Sequence, residues 1–353
     1  MKTRAVLERI EPYTPGTRIP GGIKLASNEN PFGPSPRAVE AVGGVLDDLH
    51  FYPDGGMHRL REALARRWGV SPDMVIAGNG SDEILVMVAG AVIEPGTNAI
   101  TASHTFSQYT FSAQIFGAEV RLAAMRDGRF DLGAIADQID GQTRIVFLCS
   151  PNNPTGTIVG ARELIAFLER VPSHVLVVVD EAYGEYVTST DYPDTVALVT
   201  GGANLIRLRT FSKIYGLAAL RVGYGIARSD IIDAVSRLRQ PFNVGTIAQV
   251  AANAALADEE FVERTLRNNE REKVRLYRFL DAHHLPYYPT EANFVCASFA
   301  RPGAHFVDEA LREQRITIRP LASFGMPDHM RISIGTPDEM DALYEALDRI
   351  LGG

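Results

Sequence analysis

Three stretches constrain the fold of this chain more than any others: Arg144-Ile145-Val146-Phe147-Leu148-Cys149, Val175-Leu176-Val177-Val178-Val179 and Leu205-Ile206-Arg207-Leu208. They are rich in β-branched residues and do not alternate polar with apolar. A strand with one wet face alternates; a strand without alternation is covered on both sides. Shorter runs at Met74 to Ala77, Asn98 to Ala102, Glu119 to Ala123 and Val222 to Ala227 extend the series. Helical patterns separate them, at Met57 to Trp68, after Gly78-Asn79-Gly80-Ser81-Asp82-Glu83, and at Phe106 to Phe116, Asp131 to Ile139 and Ala161 to Arg170. Strands alternating with helices predict an α/β fold, a mostly parallel sheet covered by helices on both faces.

Upstream, residues 1–35 are dense in Pro, Gly and Asn, turn formers that resist regular structure. Interspersed Tyr13, Ile23, Leu25 and Phe32 imply an arm ordered by packing on something else. A helix is expected from Pro36 to Leu49. Downstream of Ser229 the pattern turns helical, at Ile231 to Arg239, Thr246 to Ala257 and a long amphipathic stretch from Glu259 to Ala282. Strands at Phe294 to Ala297, Ile316 to Arg319 and Met330 to Ile334, with helices at Val307 to Glu313 and Pro337 to Ile350, read as a small α+β domain. The expected organisation is an arm at 1–35, a large domain at 36–257 and a small domain at 258–353.

Bulk composition narrows the function classes. A net charge of −8 disfavours a nucleic-acid partner. Cys149 and Cys296 lie far apart in strand-like runs, which suits buried reduced thiols rather than a disulfide or a metal site. The charged N-terminus lacks an apolar signal region, and the run Ile84 to Ile93 is too short to span a bilayer. A soluble cytoplasmic enzyme without a metal is the expectation.

In open parallel sheets, ligands bind beyond the carboxyl ends of the strands. Polar residues collect at those ends: Asn153 after one strand, Asp180 and Tyr183 after the next, and Thr210-Phe211-Ser212-Lys213 after a third, with Arg221 eight residues on. A lysine amine becomes a nucleophile towards carbonyls when desolvation or a neighbouring cation lowers its pKa. Thr210, Ser212 and Arg221 suit a phosphate. That combination points to a Schiff base with pyridoxal phosphate, a cofactor that acts as an electron sink. A carboxylate at 180 would pair with the pyridinium nitrogen, and Asn153 and Tyr183 would bind the ring's phenolate oxygen. Gly78-Asn79-Gly80-Ser81 ahead of an apolar helix offers amides and a helix dipole to a phosphate. It lacks the third glycine of the dinucleotide fingerprint. Phe106 could stack on the ring, and Arg331, with Arg319 a weaker case, suits a carboxylate or phosphate. Each residue taken alone has a plainer explanation: a solvated lysine, a helix cap at Ser81 or Asp180, an Asx-turn at Asn153, a core aromatic at 106, a surface ion pair at 331. Their joint placement favours the ligand.

The ordered set Ser27-Asn28-Glu29-Asn30-Pro31, Tyr52-Pro53-Asp54-Gly55, Gly78 to Glu83, Ser150-Pro151-Asn152-Asn153-Pro154-Thr155-Gly156, Asp180-Glu181-Ala182-Tyr183, Thr210 to Lys213 with Arg221, and Arg331-Ile332-Ser333-Ile334-Gly335-Thr336 resembles the fold-type I pyridoxal-phosphate aminotransferases. Among them it resembles the histidinol-phosphate aminotransferases. The resemblance implies that Lys213 holds the cofactor covalently and shuttles the proton, with Asp180 and Tyr183 the other catalytic residues. It implies that Ser81 and Asp82 (through their backbones), Thr210, Ser212 and Arg221 hold the phosphate, Phe106 lies under the ring, and Tyr13, Asn30, Arg319 and Arg331 meet the substrate. It further implies a homodimer with shared sites, Tyr52 reaching the partner's cofactor phosphate and Tyr13 the partner's substrate. The implied reaction is a ping-pong transamination between histidinol phosphate and 2-oxoglutarate. The competing readings are an aromatic amino-acid aminotransferase, a pyridoxal-phosphate-dependent phosphothreonine decarboxylase, and a ligand-sensing transcription regulator. The last would need a DNA-binding module for which the short arm leaves no room.

Overall fold

A computed structural model describes residues 1–10 and 19–352. The apolar runs become one seven-stranded sheet in the order Val75–Gly78, Gly223–Ile226, Leu205–Thr210, Leu176–Asp180, Thr143–Cys149, Asn98–Ala102, Glu119–Ala123. Gly223–Ile226 runs antiparallel to both its neighbours, and the remaining pairings are parallel. Register aligns the strand ends: Asp180 lies opposite Cys149 on one side and Leu208 on the other. The turns that follow these strands therefore open on one edge. The reversed strand begins where its neighbours finish, with Gly223 opposite both Thr210 and Gly78. That reversal brings Arg221 to the same edge.

Helices Gly80–Val92, Ala161–Arg170 and Thr246–Leu256 bury Ile84, Leu85, Leu164, Phe167, Ala251 and Ala252 in the core that also holds Val177, Val178 and Ile206. A second core forms around the four-stranded antiparallel sheet of Tyr287–Tyr288, Phe294–Ser298, His329–Ser333 and Arg319–Pro320. The helix Glu259–Ala282 joins the two: Val262 and Leu266 pack on the first core, Leu276 and Leu280 sit in the second. An aspartate, Asp258, caps its start by accepting from the Phe261 amide.

Three expectations are corrected. The helix from Pro36 stops at Gly43, where two successive glycines weaken it, and Leu46–Asp48 forms only a 3-10 turn. The helix expected over Phe106 to Phe116 is confined to Gln108–Gln114. The strand expected from Ile316 to Arg319 splits, because its halves pair with different partners. Ile316–Thr317 pairs in parallel with Ile23–Lys24 of the arm, and Arg319–Pro320 pairs with His329–Ser333. The arm is thus tied to the second core, where Leu25 is buried. No helix among the described residues is long and apolar enough to cross a membrane.

Candidate active site

The carboxyl edge of the large sheet faces the strand His329–Ser333 across a cavity of about 600 Å³. Ser81, Asp82, Phe106, Asn153, Asp180, Tyr183, Thr210, Ser212, Lys213, Arg221, Arg319 and Arg331 all line it. Asp180 and Thr210 end strands of the large sheet, and Arg319 and Arg331 lie in strands of the small one, so both sheets contribute to one place.

Asp180 ends its strand buried, 2% exposed. Its Oδ2 accepts from the Tyr109 hydroxyl at 2.8 Å and its Oδ1 from the Ala182 amide at 3.1 Å. Both donors are neutral. Burial pushes its pKa up to about 6, with the Tyr109 hydrogen bond working against the rise. The next residue, Glu181, is also buried but is matched by cations: Arg207 Nε at 2.7 Å and Arg209 Nη2 at 2.9 Å. Asp180 is thus a buried carboxylate whose direct hydrogen-bond donors leave its charge unmatched, which suits a cationic ring nitrogen.

Lys213 lies three residues beyond the strand Leu205–Thr210, partly buried. Its Nζ donates to the Ser27 carbonyl at 3.2 Å and stands 5.5 Å from the centre of the Tyr183 ring. Burial lowers its pKa to about 8, helped by the Arg331 and Arg221 guanidinium groups and opposed by Glu29 and Asp82. This is the direction an amine nucleophile needs.

A phosphate cradle forms where the helix Gly80–Val92 begins. Gly80 adopts φ +77°, and a Cβ there would stand 2.6 Å from Arg221 Nη2. A Cβ on Gly223 would stand 2.5 Å from the Ser81 amide nitrogen. Only glycines let the helix start, the reversed strand and the guanidinium converge. Arg221, itself left-handed at φ +48°, donates to Ser212 Oγ at 3.3 Å and pairs with Asp82 Oδ2 at 3.0 Å. The Asp82 carboxyl is raised by burial, with Arg221 and Lys213 opposing. Thr210 Oγ1 accepts from the Ser212 amide at 3.1 Å, which orders the loop between strand and lysine.

Arg331 reaches across from the second core. It donates to the Asn153 side-chain carbonyl and, at 2.8 Å, to the Ala26 carbonyl. Tyr183 is buried, and its hydroxyl accepts from Asn28 Nδ2 at 2.9 Å. Its pKa is raised to about 12 by burial, against the pull of Arg331 and Asn28.

Asn30 does not line the cavity. It donates to the Ile214 carbonyl at 2.8 Å and to Thr265 Oγ1 at 3.2 Å, tying the arm to the lysine loop and the long helix. Asn28 lines the cavity instead. Its left-handed φ of +55° breaks the alternation by which residues 28 and 30 would share a face. Tyr52 is 82% exposed and stacks on Phe242 at 4.7 Å, outside the cavity. Tyr13 lies outside the described residues. Sequence reasoning missed the roles of Asn28 and Tyr109. Tyr109 follows Phe106 by three residues, a spacing that puts both on one side of a helical turn; the two rings meet edge-on at 5.7 Å.

The pattern of the family described as aminotransferase class I and II matches residues 20–347. The chain is 47% identical over 360 residues to the histidinol-phosphate aminotransferase of Geobacillus thermodenitrificans, covering 99% of this chain and 98% of that one. It is 46% identical over 361 residues to that of Bacillus subtilis, covering 99% and 100%. The crystal structure of histidinol-phosphate aminotransferase from Sinorhizobium meliloti in complex with pyridoxal-5'-phosphate superposes with a TM-score of 0.88 at 29% identity, covering 94% and 91%. Matched over most of its length in pattern, sequence and fold, the chain belongs to the class I and II aminotransferases.

Proposed function

We propose that this chain transfers the amino group between L-histidinol phosphate and 2-oxoglutarate, giving imidazole acetol phosphate and glutamate in histidine biosynthesis. The observation that carries the reading is one cavity holding a lysine lowered to about 8, an aspartate raised to about 6 and a glycine-lined phosphate cradle. The names of the close relatives supply the substrate.

Pyridoxal 5'-phosphate, when bound, supplies an electron sink for the substrate carbon. Asp180 would set its charge against the ring nitrogen. Asn153 and Tyr183 would address the ring oxygen, and Phe106 would lie against the ring. The backbones of Ser81 and Asp82, with Thr210, Ser212 and Arg221, would hold the phosphate. Lys213 Nζ, once free as an amine, takes the proton from the substrate carbon that bears nitrogen. Arg331, helped by Arg319, meets the glutamate carboxylate in one half-reaction and the substrate phosphate in the other.

The same reading makes the protein a soluble cytoplasmic homodimer, with an arm at 1–35 and domains at 36–257 and 258–353. The separate hydrophobic cores support the division. Exposed Leu46, Leu49, Phe51 and Tyr52, 52, 50, 65 and 82% accessible, support an interface there. Tyr52 and Tyr13 then serve the partner's site.

A half-reaction panel tests the substrate. Histidinol phosphate and glutamate should bleach the cofactor absorbance with much higher second-order rate constants than phenylalanine, tyrosine or aspartate. Equal rates with phenylalanine or tyrosine would make the chain an aromatic aminotransferase, and release of carbon dioxide from phosphothreonine a decarboxylase.

A further inference from the structure

Three consecutive residues of the arm each touch one polar side chain of the cavity. The Ala26 carbonyl accepts from Arg331, the Ser27 carbonyl from Lys213, and the Asn28 amide donates to the Tyr183 hydroxyl. Asn28 is 1% exposed and holds a left-handed backbone conformation that asparagine tolerates better than most residues. Its remaining polar groups are all engaged. Its backbone amide donates to Ser333 Oγ at 2.8 Å, Ser333 Oγ donates to its Oδ1 at 2.9 Å, and its carbonyl accepts from Asn293 Nδ2 at 3.1 Å. With Ser333 Oγ accepting from the Asn28 backbone amide and donating to Oδ1, Nδ2 is the end of the side-chain amide that faces the Tyr183 hydroxyl as a donor. A phenol oxygen that accepts a hydrogen bond keeps its own hydrogen free to donate elsewhere. Tyr183 lines the cavity, so its hydrogen is available to a ligand oxygen there.

We infer that Asn28 is a positioning residue that holds the Tyr183 hydroxyl as a donor into the cavity, and that Ser333, two residues from Arg331, sets the orientation of Asn28. The inference rests on the proposed cofactor, towards whose ring oxygen Tyr183 would donate. A donor there withdraws electron density from the oxygen and lowers the proton affinity of the cofactor's linkage to Lys213. The charged and titratable groups acting on Tyr183 include Arg331, Lys213, Asp180, Cys149 and Tyr186, with the Phe294 ring against its edge at 5.1 Å. All of them are unchanged by substitution at 28.

The test is a pH titration of the cofactor's visible absorbance in the loaded protein. Asn28→Asp keeps the shape, the backbone preference and the Ser333 bond, but presents an acceptor to Tyr183 and so recaptures its hydrogen. The midpoint should rise by about one pH unit, a tenfold change in proton affinity. Asn28→Gly, which suits φ +55° and only deletes the amide, should raise it by less. In a Tyr183→Phe background, Asn28→Asp should leave the midpoint where Tyr183→Phe alone puts it. A midpoint unmoved or lowered in both single variants would overturn the assignment, even if activity falls, as would a full shift persisting without the tyrosine hydroxyl. A wild-type protein that takes up no pyridoxal phosphate would instead sink the functional reading, and this inference with it.

Discussion

Asp180→Asn should stabilise the protein stripped of cofactor while disabling it as an enzyme. The wild-type carboxyl is raised from its ordinary 3.8 to about 6, chiefly by burial at 2% exposure. Each pH unit between those values carries about 1.4 kcal/mol, so keeping Asp180 ionised costs the folded state roughly 3 kcal/mol. The sign follows from which state holds the proton. Below the unfolded pKa both states are protonated and the cost is absent. Between the two values the unfolded chain is ionised while the folded one is not, and the cost grows. Above about 6 it is complete. Asparagine removes the charge with little change of shape. Its Oδ1 still accepts from the Ala182 amide, and the Tyr109 hydroxyl can turn to accept from Nδ2. Urea unfolding of the stripped proteins should therefore find the variant more stable by about 3 kcal/mol at pH 8 and by about half that at pH 5. Reconstituted with pyridoxal phosphate, the same variant should lose about 10²–10³-fold in turnover, the range for removing one well-placed electrostatic partner. A variant no more stable than wild type at pH 8, or a gap equal at both pH values, would refute the claim that Asp180 is held ionised at the expense of the fold.

Lys213, lowered to about 8, is nucleophilic only as the free amine, so the rate of cofactor uptake should rise about tenfold per unit as pH increases towards 8 and then level, as followed by stopped-flow absorbance. Lys213→Ala should abolish both that absorbance and turnover; substantial turnover in the variant would overturn the lysine's role. Gly80→Ala forces a side chain into a left-handed position 2.6 Å from Arg221, so equilibrium dialysis should show cofactor affinity falling by about tenfold or more. Arg331→Gln removes a charged hydrogen-bonding partner worth about 1.5–3 kcal/mol, so kcat/KM for glutamate and for histidinol phosphate should both fall by about 10–150-fold in steady-state assays.

The sequence by itself determined the architecture of the large sheet and the residues at its edge. Unalternating runs such as Val175 to Val179 have no wet face, so they read as covered strands whatever surrounds them. Asp180 was legible because it ends such a run, and Lys213 and Asn153 because each lies in the loop just beyond one, and a parallel strand's end is a local property. Arg207, a charge inside an apolar run, is buried at 2% exposure, with Glu181 just past the neighbouring strand pairing with it. Only the tertiary structure decided that pairing. It also decided that the strand Gly223–Ile226 is reversed, which carries Arg221 to the cradle, and that Arg331 crosses 178 positions to meet Asn153. The same holds for the arm. Its motif marked residues 27–31 as important, but a left-handed turn at Asn28 set Asn28, rather than Asn30, towards the cavity. Periodicity and turn chemistry act between neighbours in sequence, whereas which side chains meet across elements depends on how whole faces pack. That information is spread over the entire chain and sits in no single motif.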